Sequence, residues 1–370
     1  MIRKTGPNIA PIDCCGGGYI RPDCVMLRRP PRLTGQIHPR KASVLINPVR
    51  PAPPSPRNVN SCNIRAKSSP KVDVSFVIPS YNSQDTIAGT INSIDSQAGS
   101  LSREIVVVDS SPHTLVREVV SRYPQVRYIH NPVRLYPGQA RNLGARIVEG
   151  EYLAFIDSDI TLQENWLVRL YSRLISIPGL KAVGGIIFNA NPDKTSSTIL
   201  YWIEFSEFLP GSRSGFRSFL SSSNLLLRKE DFLKSPRFDP SFAMSEDMLF
   251  SRFFSGRLYL DNTTSTCHRH RTERKDVLDH LKNLGFWAGR LRLAGKGRGS
   301  FLSKVRWLSL MLPFFRTLVV IKRVIRADPR QFLKAVTFLP LVFGGSCYWA
   351  AGFYNGLKPK QKKATDSLEK

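Results

Sequence analysis

The sequence predicts an α/β protein with a mostly parallel sheet flanked by helices, followed by C-terminal membrane-associated helices. Short apolar runs alternate with helical patterns from residue 73 to about 260, and the connections between them are short. That alternation is typical of strands paired in parallel and covered by helices. Two basic stretches then enclose an uncharged apolar run. We therefore predict a disordered basic, Pro-rich tail at 1–72 and a folded α/β domain at 73–272. A basic linker with a membrane-associated helical segment is predicted at 273–357, and a disordered C-terminal tail at 358–370.

The sequence pattern in the first half of the folded domain predicts four buried strands with helices between them. The strands are apolar runs too short for buried helices, at 74–79, 104–109, 126–129 and 152–156. Apolar residues at helical spacing predict helices at 85–97, 114–123 and 138–149. In the second half we predict two strands and three helices, with residues 195–220 partly in loop. The strands are 182–188 and 224–228, and the helices 166–175, 230–234 and 246–254.

Charge is the unusual feature of the composition. The chain has 54 Lys and Arg against 28 Asp and Glu, a formal net charge of +26, which requires an anionic partner or surface. The excess lies at the two ends of the chain, whereas a nucleic-acid binder would concentrate it on one module with interleaved aromatics. We therefore expect phosphate-bearing substrates and an anionic membrane as partners, and no nucleic acid.

The N-terminal tail holds four of the six cysteines and lacks the apolar run of a secretory signal. No pair of cysteines has metal-site spacing, and a disulfide framework is not expected in a chain of this size. This usage predicts a reduced compartment.

Polar side chains follow three of the predicted strands at the point where each strand ends. They are Ser80-Tyr81-Asn82, Asp109-Ser110-Ser111 and Asp157-Ser158-Asp159. Because ligands of open α/β sheets bind outside the carboxyl ends of the strands, we expect a site at this edge.

Asp157 and Asp159 are the strongest candidates within that site. Carboxylates two residues apart at a strand end project close together, and hard oxygen ligands suit Mn²⁺ or Mg²⁺. Such an ion neutralises the charge that develops on a leaving nucleoside diphosphate. Taken alone, an Asp-x-Asp triplet is more often solvated charge, and its place after a buried strand is what favours the metal site.

Five motifs, in order and spacing, resemble those of the inverting family 2 glycosyltransferases, which have the GT-A fold. They are Val77-Ile78-Pro79-Ser80-Tyr81-Asn82, Val106-Val107-Val108-Asp109-Ser110-Ser111, Gly138-Gln139-Ala140-Arg141-Asn142, Phe155-Ile156-Asp157-Ser158-Asp159 and Glu246-Asp247. The resemblance covers about 73–260. It implies transfer of a sugar from a nucleotide diphosphate donor to an acceptor hydroxyl, which we expect on a lipid-linked or surface glycan at a membrane face.

The same resemblance implies a role for each matched position. Pro79 and Tyr81 would line a nucleoside pocket, and Asp109 would bind the base or ribose. Asp157 would lie near the ribose and the metal, and Asp159 would bind the metal directly. Asp247 would be the general base. The family commonly has Asp-Asp-Gly-Ser where this chain has Asp109-Ser110-Ser111. A role that needs two carboxylates at that strand end is therefore not expected.

Four further assignments keep their alternatives. Ser245 is expected to cap a helix that holds Asp247 ionised in its first turn, although acids are common there in any helix. His268, in a predicted loop, either completes the metal shell or belongs to a solvated basic loop. Arg141 contacts the donor phosphates or lies on a helix surface. Asn224, with Ser223, is expected near the donor or acceptor sugar.

The apolar run at 335–357 is long enough to cross a bilayer, but Pro340, Gly344 and Gly345 interrupt it. Both of its flanks are basic, so one span cannot satisfy the positive-inside rule. We expect an interfacial or re-entrant hairpin on an anionic surface, with the catalytic domain facing the cytoplasm. The alternative is a pair of core helices packed on the folded domain.

Two other functional classes share some of these features. A nucleotidyltransferase also uses paired acids on an α/β sheet, but it would normally carry a Gly-rich phosphate loop and a lysine after the first strand, and Val77 to Asn82 supply neither. A non-enzymatic basic protein that binds nucleic acid or membrane would account for the charge and leave the strand-end acids without a purpose.

Overall fold

The computed structural model describes residues 72–296 and 299–359, so the two predicted tails lie almost wholly outside the described residues. The strands are β1 Val74–Ser80, β2 Arg103–Asp109, β3 Val126–His130, β4 Tyr152–Ile156, β5 Ile160–Leu162, β6 Ala182–Asn189, β7 Gly215–Arg217, β8 Asn224–Arg228 and β9 Leu258–His268. The α-helices are α1 Ile87–Asp95, α2 Leu115–Val120, α3 Pro137–Ile147, α4 Trp166–Ser176, α5 Thr195–Phe205, α6 Lys229–Lys234, α7 Glu246–Phe253, α8 Arg274–Leu293, α9 Leu312–Ala327 and α10 Phe332–Gly356.

These strands form one sheet in the order β3-β2-β1-β4-β8-β6-β9-β5, with β7 paired to β9. The predicted parallel arrangement is confirmed for β1 to β4. The sheet as a whole is mixed, because β8 runs antiparallel to both β4 and β6, and β5 and β7 run antiparallel to β9.

Helices cover both faces of the sheet, which explains the continuous apolar runs of its central strands. In β1, Val77 belongs to the core on one face, while Phe76 and Ile78 belong to the core on the other. All seven residues of β1 are buried. A strand covered on both faces needs apolar residues at every position rather than at alternate ones.

Three of the longer elements differ from the sequence prediction, and the short strands β5 and β7 were not predicted either. Residues 195–205 form α5 rather than partly loop, and residues 274–293 form the 20-residue helix α8 where a basic linker was expected. The long strand β9 was not predicted, because its threonines, asparagine and aspartate give no regular alternation of apolar and polar residues. Its irregular register opposite β6 accounts for that lack of period.

The C-terminal apolar run also differs from the prediction, since Pro340, Gly344 and Gly345 lie within the single helix α10. Proline has no amide hydrogen, so the helical hydrogen bond from residue 340 to the carbonyl of Val336 is missing. Both Pro340 and Val336 lie on the exposed side of α10. By length and composition the region Pro329–Gly356 could cross a membrane, but 39% of its most apolar window is buried within the protein.

Glycines bring α10 into direct backbone contact with α8. A Cβ placed on Gly352 would lie 1.9 Å from the carbonyl oxygen of Lys282, and one on Gly285 would lie 1.8 Å from that of Trp349. One face of α10 is therefore packed against the protein along its length. The other face exposes apolar side chains, including Leu333 at 76% and Val336 at 52%.

Candidate active site

The carboxyl ends of β1, β2 and β4 meet at one edge of the sheet, as predicted. Asp109 lies at the end of β2, directly opposite Ser80 of β1, and is fully buried. Its Oδ1 accepts hydrogen bonds from the hydroxyls of Ser80 at 2.9 Å and Ser111 at 2.7 Å. Its Oδ2 accepts one from the Tyr128 hydroxyl at 2.8 Å. Both oxygens of Asp109 thus already hold neighbouring strand ends together, with serine hydroxyls in place of a second acid.

Asp157, Asp159 and His268 form a cluster at the end of β4. One potential ligand atom of each residue lies within 4.8 Å of the others, and His268 Nε2 is 3.5 Å from Asp159 Oδ1. The pairing of β5 with β9 causes this contact, because Ile160 pairs directly with His268. His268 therefore ends a strand rather than lying in the predicted loop, and it is buried rather than solvated.

The donor atoms of this cluster fit a divalent cation. Burial and the charge of Asp157 raise the pKa of Asp159, while His268 opposes the shift. Two crowded carboxylates of this kind gain from a positive ion, and carboxylates with one imidazole suit Mn²⁺ or Mg²⁺. The ring of His268 stacks on that of His270, with 4.3 Å between the ring centres, and this contact restricts the plane of the His268 ring.

Arg141 connects the metal cluster to the Glu246-Asp247 motif. It is only 2% exposed, so the alternative of a helix-surface arginine is wrong. One guanidinium nitrogen contacts Asp157, and Nη1 lies 2.9 Å from Glu246 Oε1. The guanidinium is therefore held between two carboxylates of the chain, and its predicted contact with donor phosphates stays a prediction.

The residues around Arg141 explain the rest of its motif. Gly138 leaves room for Glu246, since a Cβ there would lie 2.8 Å from Glu246 Cγ. Gln139 Oε1 accepts a hydrogen bond from the Tyr136 amide at 2.9 Å at the start of α3. Asn142 Nδ2 donates to the Phe238 carbonyl at 2.7 Å and fixes the segment that leads to α7. The motif at 138–142 thus positions the Glu246-Asp247 pair.

Asp247 lies in the first turn of α7, as predicted, but Ser245 does not cap that helix with its side chain. The backbone of Ser245 is left-handed, with φ of 67°, and Asp247 Oδ1 instead accepts a hydrogen bond from the Met248 amide at 2.8 Å. Burial raises the pKa of Asp247 to about 6, against the opposing charge of Arg141. Burial and the charge of Asp247 raise the pKa of Glu246 to about 8, which Arg141 again opposes.

Pro79 is buried within β1, whereas Tyr81 is 37% exposed at its end. Arg134 was not identified from the sequence, and its guanidinium lies 4.2 Å from the centre of the Tyr81 ring. A base stacking on Tyr81 would therefore share the ring with Arg134 or displace it. An isolated arginine in a loop gives no sequence signal for such a contact.

Asn224 is 2% exposed and hydrogen-bonded within the protein. Its Oδ1 accepts from Trp166 Nε1 at 2.7 Å, and its Nδ2 donates to the Gly185 carbonyl at 3.0 Å. Asn224 pairs with Ile156 across β4 and β8, so these bonds support the strand that presents Asp157. Contact with a sugar stays a prediction for this residue.

Residues 75–244 match the family model described as glycosyl transferase family 2. The succinoglycan biosynthesis protein ExoO of Rhizobium meliloti is 38% identical over 103 residues, which are 27% of this chain and 29% of that protein. The glycosyltransferase AglE of Haloferax volcanii is 28% identical over 163 residues, 42% of this chain and 53% of that protein. The matches thus span less than two thirds of either relative.

The solved mannosyltransferase PcManGT of Pyrobaculum calidifontis, in complex with GDP-Man and Mn²⁺, has a similar fold. It superposes with a TM-score of 0.53 at 14% identity, covering 78% of this chain and 88% of that chain. At that identity the likeness concerns the fold alone, and it agrees with the α/β architecture described above. Strand order, motif positions and the family match agree: residues 75–244, just under half of the chain, match the glycosyl transferase family 2, and the architecture is that of the GT-A fold.

Proposed function

We propose that the protein is an inverting glycosyltransferase that uses a nucleotide diphosphate sugar donor and works at a membrane face. The observation that supports this most is the meeting of Asp157, Asp159 and His268 at the sheet edge, with Asp247 linked to them through Arg141 and Glu246. A Mn²⁺ or Mg²⁺ ion, when bound by Asp159 and His268, would neutralise charge on the leaving diphosphate.

Asp247 acts as the general base in this proposal. The acceptor hydroxyl oxygen bonds to the anomeric carbon as the bond from that carbon to the diphosphate breaks, and the hydroxyl proton moves to the Asp247 carboxylate. A single displacement of this kind inverts the anomeric configuration. The raised pKa of Asp247, about 6, makes it a stronger base than an ordinary aspartate while leaving it ionised at neutral pH.

The C-terminal helices support the membrane part of the proposal. Bulky apolar side chains are exposed along α9, α10 and the turns before α9, a larger apolar surface than a soluble monomer usually presents. They are Trp307, Leu310, Phe314, Phe315, Leu318, Phe332, Leu333, Val336 and Leu339. Because α10 packs along the charged helix α8, the pair is better suited to lie on a bilayer than to cross it.

A position of these helices on a bilayer bears on the acceptor and on the side of the membrane that the protein faces. A membrane-facing transferase reaches acceptors that are themselves held at the membrane, so we propose a lipid-linked or surface-glycan acceptor. The basic residues that flank α10 favour the anionic cytoplasmic leaflet. The name of ExoO, a succinoglycan biosynthesis protein, is consistent with a glycan acceptor.

Donor screening tests the proposal directly. The full chain is offered UDP-, GDP- and dTDP-sugars with Mn²⁺ or Mg²⁺, and nucleotide release is measured. We expect one donor to be turned over, with Asp159→Ala and Asp247→Asn each lowering kcat by about 10²-fold or more. Asp193→Ala, which changes an exposed aspartate outside the site, is the matched control. Unchanged turnover in either site variant would refute the assigned roles.

A further inference from the structure

A basic cleft of about 660 Å³ lies between the end of α9 and the segment that follows α5. Its walls carry four arginines and one glutamate, an excess of three positive charges: Arg213, Arg217, Arg323, Arg326 and Glu207. The roles proposed above for the catalytic domain use none of these residues.

Three of the four arginines have no carboxylate partner among the residues that the structure describes. Arg323 is paired with Glu207 at 2.8 Å, and Arg217 donates to backbone carbonyls, including that of Phe216 at 3.1 Å. For Arg213 and Arg326 no ion pair is formed within the described ranges. Guanidinium groups gathered in this way, with one carboxylate between them, are suited to bind a further anion.

Gly211 fixes the shape of the cleft. Its φ is +87°, and a Cβ at this position would lie 1.9 Å from the carbonyl oxygen of Ala327. The segment after α5 therefore touches the backbone at the end of α9, and the cleft between them is a built feature of the fold.

An apolar groove adjoins the cleft. It runs along α9 and is lined by Leu318, Ile321 and Ile325, with Lys322 and Arg326 beside them. Arg326 lines both the groove and the cleft. A concentrated positive charge is thus joined to an aliphatic surface, and Leu318 at that surface is 66% exposed.

We infer that this combined surface binds a phosphate-bearing membrane lipid. The lipid phosphate is bound by Arg213, Arg217 and Arg326, and an acyl chain lies in the groove along α9. Bidentate arginine contacts suit phosphate, and aliphatic burial suits the chain. A free phosphate would use the cleft and leave the groove empty, so the adjoining groove is what favours a lipid.

The lipid surface is distinct from the proposed donor site. β7, which contains Arg217, pairs with Leu258 to Leu260 at the start of β9, whereas His268 is the last residue of β9. On the neighbouring strand β6, the residues that pair with Leu258 and His268 are Ala182 and Asn189. These two are seven residues apart, which at ordinary strand rise separates the two ends of β9 by about 23 Å. The inference shares the membrane-facing side with the proposed function, but lipid binding can be measured without any sugar donor.

The test is calorimetric titration of the full chain with dihexanoyl phosphatidylglycerol, kept below its micelle concentration. Arg213→Gln/Arg326→Gln removes the two arginines whose guanidinium groups form neither an ion pair nor a backbone contact within the described part of the chain, and it keeps the Arg323–Glu207 pair and the backbone contacts of Arg217. Arg306→Gln/Arg330→Gln removes the same charge from exposed positions outside the cleft and is the matched control. We expect the first variant to weaken binding by about tenfold or more and the control to leave it within about twofold.

A second variant and a second probe separate the possible sources of the anion. Leu318→Ser should weaken binding of the lipid but not of glycerol 3-phosphate, which lacks the chains. Equal loss in the two arginine variants would overturn the inference in favour of diffuse charge attraction. Binding of glycerol 3-phosphate or inorganic phosphate as tight as that of the lipid would overturn it in favour of a free-anion site. Thermal unfolding of each variant confirms that the fold is retained.

Discussion

Arg141 and Gly352 each lie at the centre of a buried contact, but the two contacts depend on different forces. At the sheet edge, Arg141 joins the carboxylates of Asp157 and Glu246, so the arrangement depends on charge and hydrogen-bond geometry. Between α8 and α10, Gly352 lets the backbones touch, so the arrangement depends on volume. A substitution that one region tolerates should therefore disrupt the other.

Removal of the Arg141 charge should have the largest effect on stability. Arg141→Met retains much of the side-chain volume but leaves the buried Glu246 and the half-buried Asp157 without their cation, which we expect to lower the free energy of unfolding by about 3 kcal/mol. Urea denaturation measures the change. Arg146→Met alters an exposed arginine of the same helix and should change stability by less than about 0.5 kcal/mol. Equal midpoints for the two variants would show that the bridge contributes nothing.

Addition of one methyl group should have opposite effects on stability at two glycines of α10. Gly352→Ala drives a Cβ against the Lys282 carbonyl and should destabilise the protein by about 1 to 3 kcal/mol. Gly344→Ala meets no atom within 4 Å and should stabilise it by about 0.5 to 1 kcal/mol through helix propensity. Thermal unfolding of the two variants is the measurement. Shifts of the same sign would contradict the backbone contact between α8 and α10.

The pH dependence of transfer tests the charge-dependent region alone. The pKa of Asp247 is raised to about 6, and its protonated form cannot accept a proton. Transfer should therefore be fully present above that pKa and should fall about tenfold per unit as the pH drops well below it. The measurement is kcat/KM against pH at saturating metal. A profile that stays flat to about pH 4 would remove Asp247 from the base role.

Substitution of Tyr81 should give the smallest effect. Tyr81→Ala removes the ring on which the base is proposed to stack and should raise the KM for the donor about fivefold, or about 1 kcal/mol. Tyr81→Phe keeps the ring and should leave the KM nearly unchanged. Steady-state kinetics with the donor found by screening makes the comparison. An equal rise in both variants would indicate a hydroxyl contact instead of stacking.

The sequence predicted the sheet edge well because its information is local. A strand ends where its apolar run ends, so the places of Asp109, Asp157 and Asp159 followed from the positions of β2 and β4. The burial of Arg141 was not predicted, because its partners Asp157 and Glu246 come from other parts of the chain. A glycine three residues before an arginine was the available signal, since Gly138 makes room for Glu246.

The helical layer was predicted less well because its information is not local. Pro340, Gly344 and Gly345 usually interrupt helices, and only packing shows why they are tolerated here. Gly345 faces Ile203 and Leu281, while Pro340 lies on the exposed side. Strand β9 was missed for a related reason, since its register bulge removes the period by which strands are recognised.

The pairing of Ile160 with His268 has a consequence for the order of folding. Asp159 and His268 are separated by about 110 residues, so the two become neighbours only after β9 has joined the sheet beside β5 and β6. Closing a loop of that length is entropically costly and slow compared with forming the local β1 to β4 unit. A growing chain on the ribosome would therefore carry its paired aspartates for some time without the histidine, so the proposed cation site is complete only when the domain is.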